Sequence, residues 1–225
     1  MSAILATLKS RLIVSCQPVP GGPMDRPDIV AAFALAALDG GAAGLRIEGI
    51  ANVQAVRRVT SAPIIGLIKR DLTDSPVRIT PLVQDVQDLI DAGADIVAFD
   101  ATDRTRPIPI DRLIAAIHTL GGLSMADCAT PADGLTAYES GASILGSTMS
   151  GYTDGLVPDG PDLDLVTALA SIGPFVIAEG RYQTPSQAAA AMRAGATAVV
   201  AGSAITRPEH VTSWFVQAMR TEVTQ

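Results

Sequence analysis

The sequence predicts a (β/α)8 barrel, a single α/β domain spanning residues 1–225. Three observations lead there. Eight short apolar runs rich in branched side chains recur along the chain. Alanine-rich amphipathic segments alternate with them. One helix-to-strand junction appears four times, in "DGGAAGLRI", "DAGADIVAF", "ESGASILGS" and "RAGATAVVAGS". There Gly41, Gly93, Gly141 and Gly195 suit the left-handed position that follows a helix. A doubly wound open sheet is the alternative, but it favours a Gly-x-Gly-x-x-Gly turn after the first strand, and "CQPVPGGP" does not match.

Taken in order, residues 1–10 predict a short leading helix. The strand runs are 11–16, 43–47, 64–69, 95–100, 122–128, 143–148, 174–180 and 197–203. They are near-continuously apolar, as strands buried on both faces of a parallel sheet must be. Helices are predicted at 28–39, 82–91, 110–119, 131–140, 162–171, 185–194 and 208–220. Pro81, Pro131, Pro185 and Pro208 fall at or near first turns, where a missing N–H does no harm. No Pro/Ser linker marks a boundary. "DRPD" and the stretch 151–164 read as long loops of the kind that build a barrel's catalytic face.

With 48% hydrophobic and 17% charged residues, the chain can fill an aliphatic core, which excludes disorder. A net charge of −7 makes it a poor generic partner for nucleic acid or for an anionic membrane surface. No apolar run reaches the ~18 residues of a membrane span. Residues 1–10 carry no secretory apolar region, so a cytoplasmic setting is expected. Cys16 and Cys128 fit reduced fillers, and no Cys/His cluster suggests a metal.

Barrel chemistry belongs at the C-terminal ends of strands. Here those ends carry Cys16-Gln17, Arg46 with Glu48, Lys69, Asp100, Asp127, Ser147 with Thr148, Glu179-Gly180 and Gly202-Ser203. Lys69 stands out by composition. Of 16 basic residues only Lys9 and Lys69 are lysine. An amine can lose its proton when desolvated or set near cations, and a guanidinium effectively cannot. Arg46 and Arg70 are the candidate cationic neighbours. His118 and His210 fall on helical segments and read as ordinary helix residues.

The last two strands end in "AEGRYQTP" and "AGSAITRP". Each places glycine, then arginine, then a helix-starting proline. Backbone N–H groups at such turns aim at an anion, which predicts a phosphate site from Gly180, Arg181, Gly202, Ser203 and Arg207. Across from it, one lysine, two carboxylates and one arginine suit proton transfer beside a carbonyl. These residues by themselves fit an epimerase, an aldolase or an isomerase.

Eight segments in order, "VSCQ" (14–17), "LRIEG" (45–49), "PIIGLIKRD" (63–71), "FDATDRTRP" (99–107), "MADCAT" (125–130), "GSTMSGYT" (146–153), "IAEGRYQTP" (177–185) and "VAGSAITRP" (200–208), resemble the N-acetylmannosamine-6-phosphate 2-epimerase family. The resemblance implies a barrel of the ribulose-phosphate-binding type. It also implies interconversion of N-acetylmannosamine 6-phosphate and N-acetylglucosamine 6-phosphate in sialic acid and amino-sugar catabolism, without metal or organic cofactor. On this likeness Lys69 moves the C2 proton of the ring-opened sugar, and Glu179 assists ring opening and acts on the C1 oxygen. Gln17, Arg46 and Asp127 hold the sugar and its N-acetyl group, with Asp100 and Thr148 as further substrate-binding candidates. Leu72 stands where the family often has an aromatic residue, and "ADCATP" replaces an isoleucine-serine stretch, so both are expected to alter the pocket lining. The alternatives are a Schiff-base aldolase acting through Lys69 on a phosphorylated keto acid, and a non-catalytic sugar-phosphate-binding barrel. "VTSWFVQAM" (211–219) reads as an interface helix or as core, and with the resemblance it gives the expectation of a homodimer.

Overall fold

A side chain on a strand points to the face opposite its neighbours, so one parity of residues fills the barrel and the other meets the helices. In the computed structural model, which describes residues 2–153, 158–173 and 175–223, strands and helices alternate from α1 to α9, and a second helix, α10, follows α9. A leading helix α1 (Ala3–Leu8) precedes β1 (Leu12–Cys16), α2 (Pro27–Asp39), β2 (Gly44–Glu48), α3 (Ile50–Arg57) and β3 (Ile64–Leu67). Next come α4 (Val83–Asp91), β4 (Ile96–Asp100), α5 (Ile110–Thr119), β5 (Leu123–Asp127), α6 (Pro131–Glu139) and β6 (Ile144–Gly146). The chain ends with α7 (Leu163–Ile172), β7 (Val176–Ala178), α8 (Pro185–Arg193), β8 (Ala198–Ala201), α9 (Ser203–Thr206) and α10 (Pro208–Val223). All eight strands are parallel and close in sequence order, with β8 paired back onto β1. The four junction glycines take φ values of +97, +103, +93 and +101°, as expected after a helix. Helix α3 is absent from the sequence reading, because the eight residues of "IANVQAVR" carry only a weak apolar stripe.

Parity organises the interior. Ile13, Ile65, Leu67, Ile96, Ala98, Met125, Ile144, Ile177, Ala198 and Val200 form the cluster inside the barrel. Val14, Leu45, Ile47, Ile64, Val97, Phe99, Leu145 and Val199 belong to the second cluster, packed under the helices. Helix α1 seals the floor. Ile4, Leu5 and Leu8 join the inner cluster, and a Cβ on Gly44 would come within 2.6 Å of Leu8 Cδ2.

Continuing the inner parity upward gives Ser15 and Gln17, Arg46, Lys69, Asp100, Asp127, Thr148, Glu179 and Gly202. The same alternation that packs the floor therefore turns polar side chains into the mouth.

One sector breaks the pattern. Strands β4 and β5 stay paired up to Asp100–Asp127, whereas β3 and β4 pair only at Ile65–Ile96 and Gly66–Val97. Above that point a hairpin-like excursion returns and inserts its second arm between them. Lys69 bridges Ile79 in antiparallel fashion, and Leu72 bridges Ser75. The inserted arm is tied to the β3 side by Arg70 N–H to Arg78 C=O, 2.9 Å, and Thr80 N–H to Ile68 C=O, 2.7 Å. It is tied to β4 by Asp100 N–H to Ile79 C=O, 3.0 Å. Lys69 thus lies beyond the end of β3, on a short antiparallel pair, where the sequence places it within the strand.

Candidate active site

The mouth encloses a cavity of about 620 Å³, within the ordinary range for small-molecule sites. Its lining includes Gln17, Arg46, Lys69, Asp100, Thr148, Glu179, Gly180, Arg181, Gly202, Ser203 and Arg207. Of the residues given catalytic, substrate or phosphate roles in sequence, only Asp127 is absent from this lining, fully buried beside Arg46; the strand-end residues Cys16, Glu48 and Ser147 are absent from it too. The two departures from the family pattern line no part of the cavity: Leu72 sits in the turn of the excursion, and Cys128 is buried on the helix side.

Arg46 anchors the floor of the site. Its guanidinium, 1% exposed, pairs with Asp127 at 2.6 Å and lies 3.1 Å from Glu179 Oε2. Thr148 Oγ1 donates to Asp127 Oδ1 at 2.7 Å, so that carboxylate is fully engaged. Room for this meeting comes from Gly146, where a Cβ would approach Met125 Cε within 2.7 Å and Asp127 Oδ1 within 3.3 Å. Burial opposes the charge on Arg46, but Asp127 and Glu179 outweigh it and hold the guanidinium above its ordinary pKa.

Glu179 differs from Asp127. Its backbone is pinned by Ser147, whose hydroxyl donates to Glu179 C=O and accepts from Glu179 N–H. Its Oε2, though near Arg46, lacks hydrogen-bond geometry to any described group. Burial is the largest influence and pushes the carboxyl up to about 7, against the pull of Arg46. Asp127 adds to the rise, while Lys69 and Thr148 oppose it. Near neutrality this group exchanges its proton readily, as a general acid must.

Lys69 stands on the β3 side of the mouth, with β7 and Glu179 across the barrel. Its Nζ donates to Gln17 Oε1 at 2.7 Å, and Gln17 Nε2 donates in turn to Ser15 Oγ at 2.9 Å. Burial draws the ammonium below the usual lysine range, opposed by Glu48, then reinforced by Arg46 and Arg207, with Glu179 opposing again. The sequence offered Arg70 as one of the cationic neighbours. Instead Arg70 points outward and pairs with Asp85 at 2.6 Å, and Arg207 takes that place.

Asp100 lines the cavity, but its oxygens are engaged by its own loop. Oδ1 accepts from Thr102 N–H and hydroxyl, and Oδ2 from Arg104 at 2.5 Å. The effect is to present Arg104 at the mouth. On the opposite wall, β7 and β8 end without excursions. Gly180 and Arg181 take φ of +114 and +61°, and Gly202 leads directly into α9. The first N–H groups of a helix have no partner within it, and Gly202 and Ser203, at the start of α9, line the cavity. The Arg207 guanidinium is held by Gln17 C=O at 2.7 Å through Nε. Arg181 behaves otherwise: its guanidinium bonds Gly160 C=O at 2.6 Å and Ser150 C=O at 2.7 Å and stacks over Tyr152. It braces the loop after β6, of which residues 154–157 lie outside the described residues.

Sequence reasoning missed Ser15, Arg78, Ile79, Arg104, His210 and Trp214, all of which line the cavity. Ser15 was legible through its inner parity. His210 and Trp214, one turn apart on α10, line the mouth because α10 starts at Pro208, just past the short α9 that follows β8, which no local pattern reveals. Cys16 and Cys128 are free and buried, and burial raises both thiols, Cys16 to about 12, as fits inert fillers. Among the described residues no group of three or more His, Cys, Asp or Glu is placed to hold a metal ion. Nor is any described helix long and apolar enough to cross a membrane.

Comparison with known proteins identifies the family and repeats the fold. A family model described as "Putative N-acetylmannosamine-6-phosphate epimerase" matches residues 30–221. A protein named "Putative N-acetylmannosamine-6-phosphate 2-epimerase" from Shigella dysenteriae serotype 1 is 60% identical over 212 residues, 94% of this chain and 93% of that one. One of the same name from Escherichia coli O1:K1 / APEC is 59% identical over the same shares. Among solved structures, the N-acetylmannosamine-6-phosphate 2-epimerase from Clostridium perfringens superimposes with a TM-score of 0.93 at 37% identity, over 96% of each chain.

Proposed function

The chain belongs to the N-acetylmannosamine-6-phosphate epimerase family, and from that premise we propose how its mouth carries out the reaction. The reaction is an isomerisation, the 2-epimerisation of N-acetylmannosamine 6-phosphate to N-acetylglucosamine 6-phosphate and back. In the ring-opened sugar, C2 lies next to the C1 aldehyde, so its proton can leave to give an enolate whose charge falls on O1. One observation carries the assignment. Burial draws an amine towards its neutral form and a carboxyl towards its protonated form on facing walls of one cavity. That is an amine whose proton is loosened, facing a carboxyl that titrates near neutral pH.

In this reading Lys69 takes the C2 proton, its ammonium hydrogens exchange with water, and it delivers a solvent-derived proton to the opposite face of C2. Glu179 assists ring opening and donates to O1. Arg46, kept charged by Asp127, stabilises the enolate. Gln17 orients the Lys69 amine, and Thr148, Asp127 and the Asp100–Arg104 pair shape the wall that receives the sugar and its N-acetyl group. The phosphate rests on the backbone at Gly180–Arg181 and Gly202–Ser203, with Arg207 beside it. Arg181 contributes through its main chain, because its side chain braces a loop. No step in this route requires a metal or organic cofactor.

The test is NMR of the purified protein with N-acetylmannosamine 6-phosphate in deuterated water. The expected outcome is epimerisation with deuterium entering at C2 of both sugars. Epimerisation without C2 exchange would overturn the proton-transfer reading. A cytoplasmic setting, which the two buried thiols fit, and a homodimer are part of the same proposal. Helix α10 exposes Phe215, Val216 and Met219, so a monomer by light scattering would remove the dimer.

A further inference from the structure

Thr80 is fully buried, β-branched, and held at φ +44°, a left-handed conformation rare for such a residue. It lies outside the cavity lining. Its hydroxyl sits where β3 and β4 have parted. Thr80 Oγ1 accepts from Ile68 N–H at 3.2 Å and donates to Ala98 C=O at 2.7 Å. One hydroxyl therefore bridges the two strands whose own pairing has stopped at Gly66–Val97. Thr80 N–H also bonds Ile68 C=O, so both backbone groups of the residue preceding Lys69 end on Thr80. The residue following Lys69, Arg70, is bonded to Arg78 on the same arm.

From this we infer that Thr80 is a positioning residue for the epimerase reaction, its hydroxyl splicing β3 to β4 so that Lys69 Nζ stands at the height of the substrate's C2. Misplacing a reacting group by about 1 Å costs on the order of 100-fold in rate, so a residue that never meets the sugar can govern turnover. Such strain persists where the surroundings over-determine it, commonly beside functional groups. The chemistry demands a group that both accepts and donates, which serine supplies and valine does not.

The inference rests on Lys69 as the base, and the experiment separates the two. C2 exchange in deuterated water and steady-state kinetics are measured for wild type, Lys69→Ala, Thr80→Val, Thr80→Ala and Thr80→Ser, with circular dichroism and melting as fold controls. Thr80→Val and Thr80→Ala are expected to lower kcat and exchange together by about 10- to 100-fold, with KM within about threefold. Thr80→Ser is expected to restore kcat to within about threefold of wild type. A folded Thr80→Val with wild-type kcat, or a loss that serine does not rescue, overturns the positioning role. If neither hydroxyl-free variant folds, Thr80 is a folding determinant and the inference falls. Wild-type exchange in Lys69→Ala would instead sink the base assignment itself.

Discussion

The two walls of the mouth are built by opposite means. Between β7 and β8 the strands are short, the chain turns at once through Gly180 and Gly202, and these side-chain-free glycines line the cavity. Between β3 and β4 the barrel is pried open by residues 78–80, and the functional group rides on a side chain well above the ladder. An anion is recognised by fixed N–H dipoles, which tight turns supply without side-chain entropy. A proton-transferring amine needs its depth, neighbours and distance set independently of the barrel radius, and an inserted arm allows that. Glu179 at the end of β7 aside, the expected division of labour is phosphate affinity on the β7–β8 wall and C2 proton transfer on the β3–β4 wall.

Lys69→Ala breaks the comparison hardest. Loss of a general base costs on the order of 10²–10⁴ in rate, and C2 exchange should disappear while the fold and phosphate affinity survive. Asp127→Ala tests the floor that both walls share. It leaves the buried Arg46 charge half-compensated and is expected to cost about 3–5 kcal/mol in denaturant unfolding. Arg207→Ala should act mainly on KM, raising it about 10- to 100-fold as a charge-assisted bond is lost. A comparable fall in kcat alone would erase the division between walls.

Glu179→Gln sharpens the electrostatics. The folded-state pKa of Glu179 is raised from 4.5 to about 7, so its stabilising contribution is present below 4.5 and lost as pH rises through 7. Glutamine lacks that dependence. The melting temperature of the variant, relative to wild type, should therefore climb between pH 5 and pH 8, and a flat difference would show that Glu179 stays ionised. The smallest effect is expected from Asp71→Ala. Its pair with Arg78 on the excursion is exposed, and such pairs contribute about 0–1 kcal/mol.

Strand order, junction glycines and most of the site were legible in sequence, for a shared reason. In a parallel barrel each strand's inner parity runs from apolar to polar at the mouth, so Arg46, Lys69, Asp127 and Glu179 are marked by where an apolar run stops. The inserted arm was not legible. "RDLTDSPVRITP" shows a turn, but its second arm finds its place only when β3 and β4 splay, a pairing that local sequence does not encode. Asp100 and Arg181 were read as ligands because their type and position fit, whereas their hydrogen bonds, to Arg104 and to Ser150 and Gly160, depend on loops distant from any periodic pattern.

Among the described residues, helix α1 makes the barrel a vessel stoppered at its base. With Leu8 seated there and fully buried, the cavity lies at the opposite, C-terminal end of the strands, where both sugars are received. The two epimers must queue at the same opening, each inhibiting the entry of the other. As for any catalyst, net flux runs with the concentrations of the two sugars relative to their equilibrium, whatever the shape of the opening.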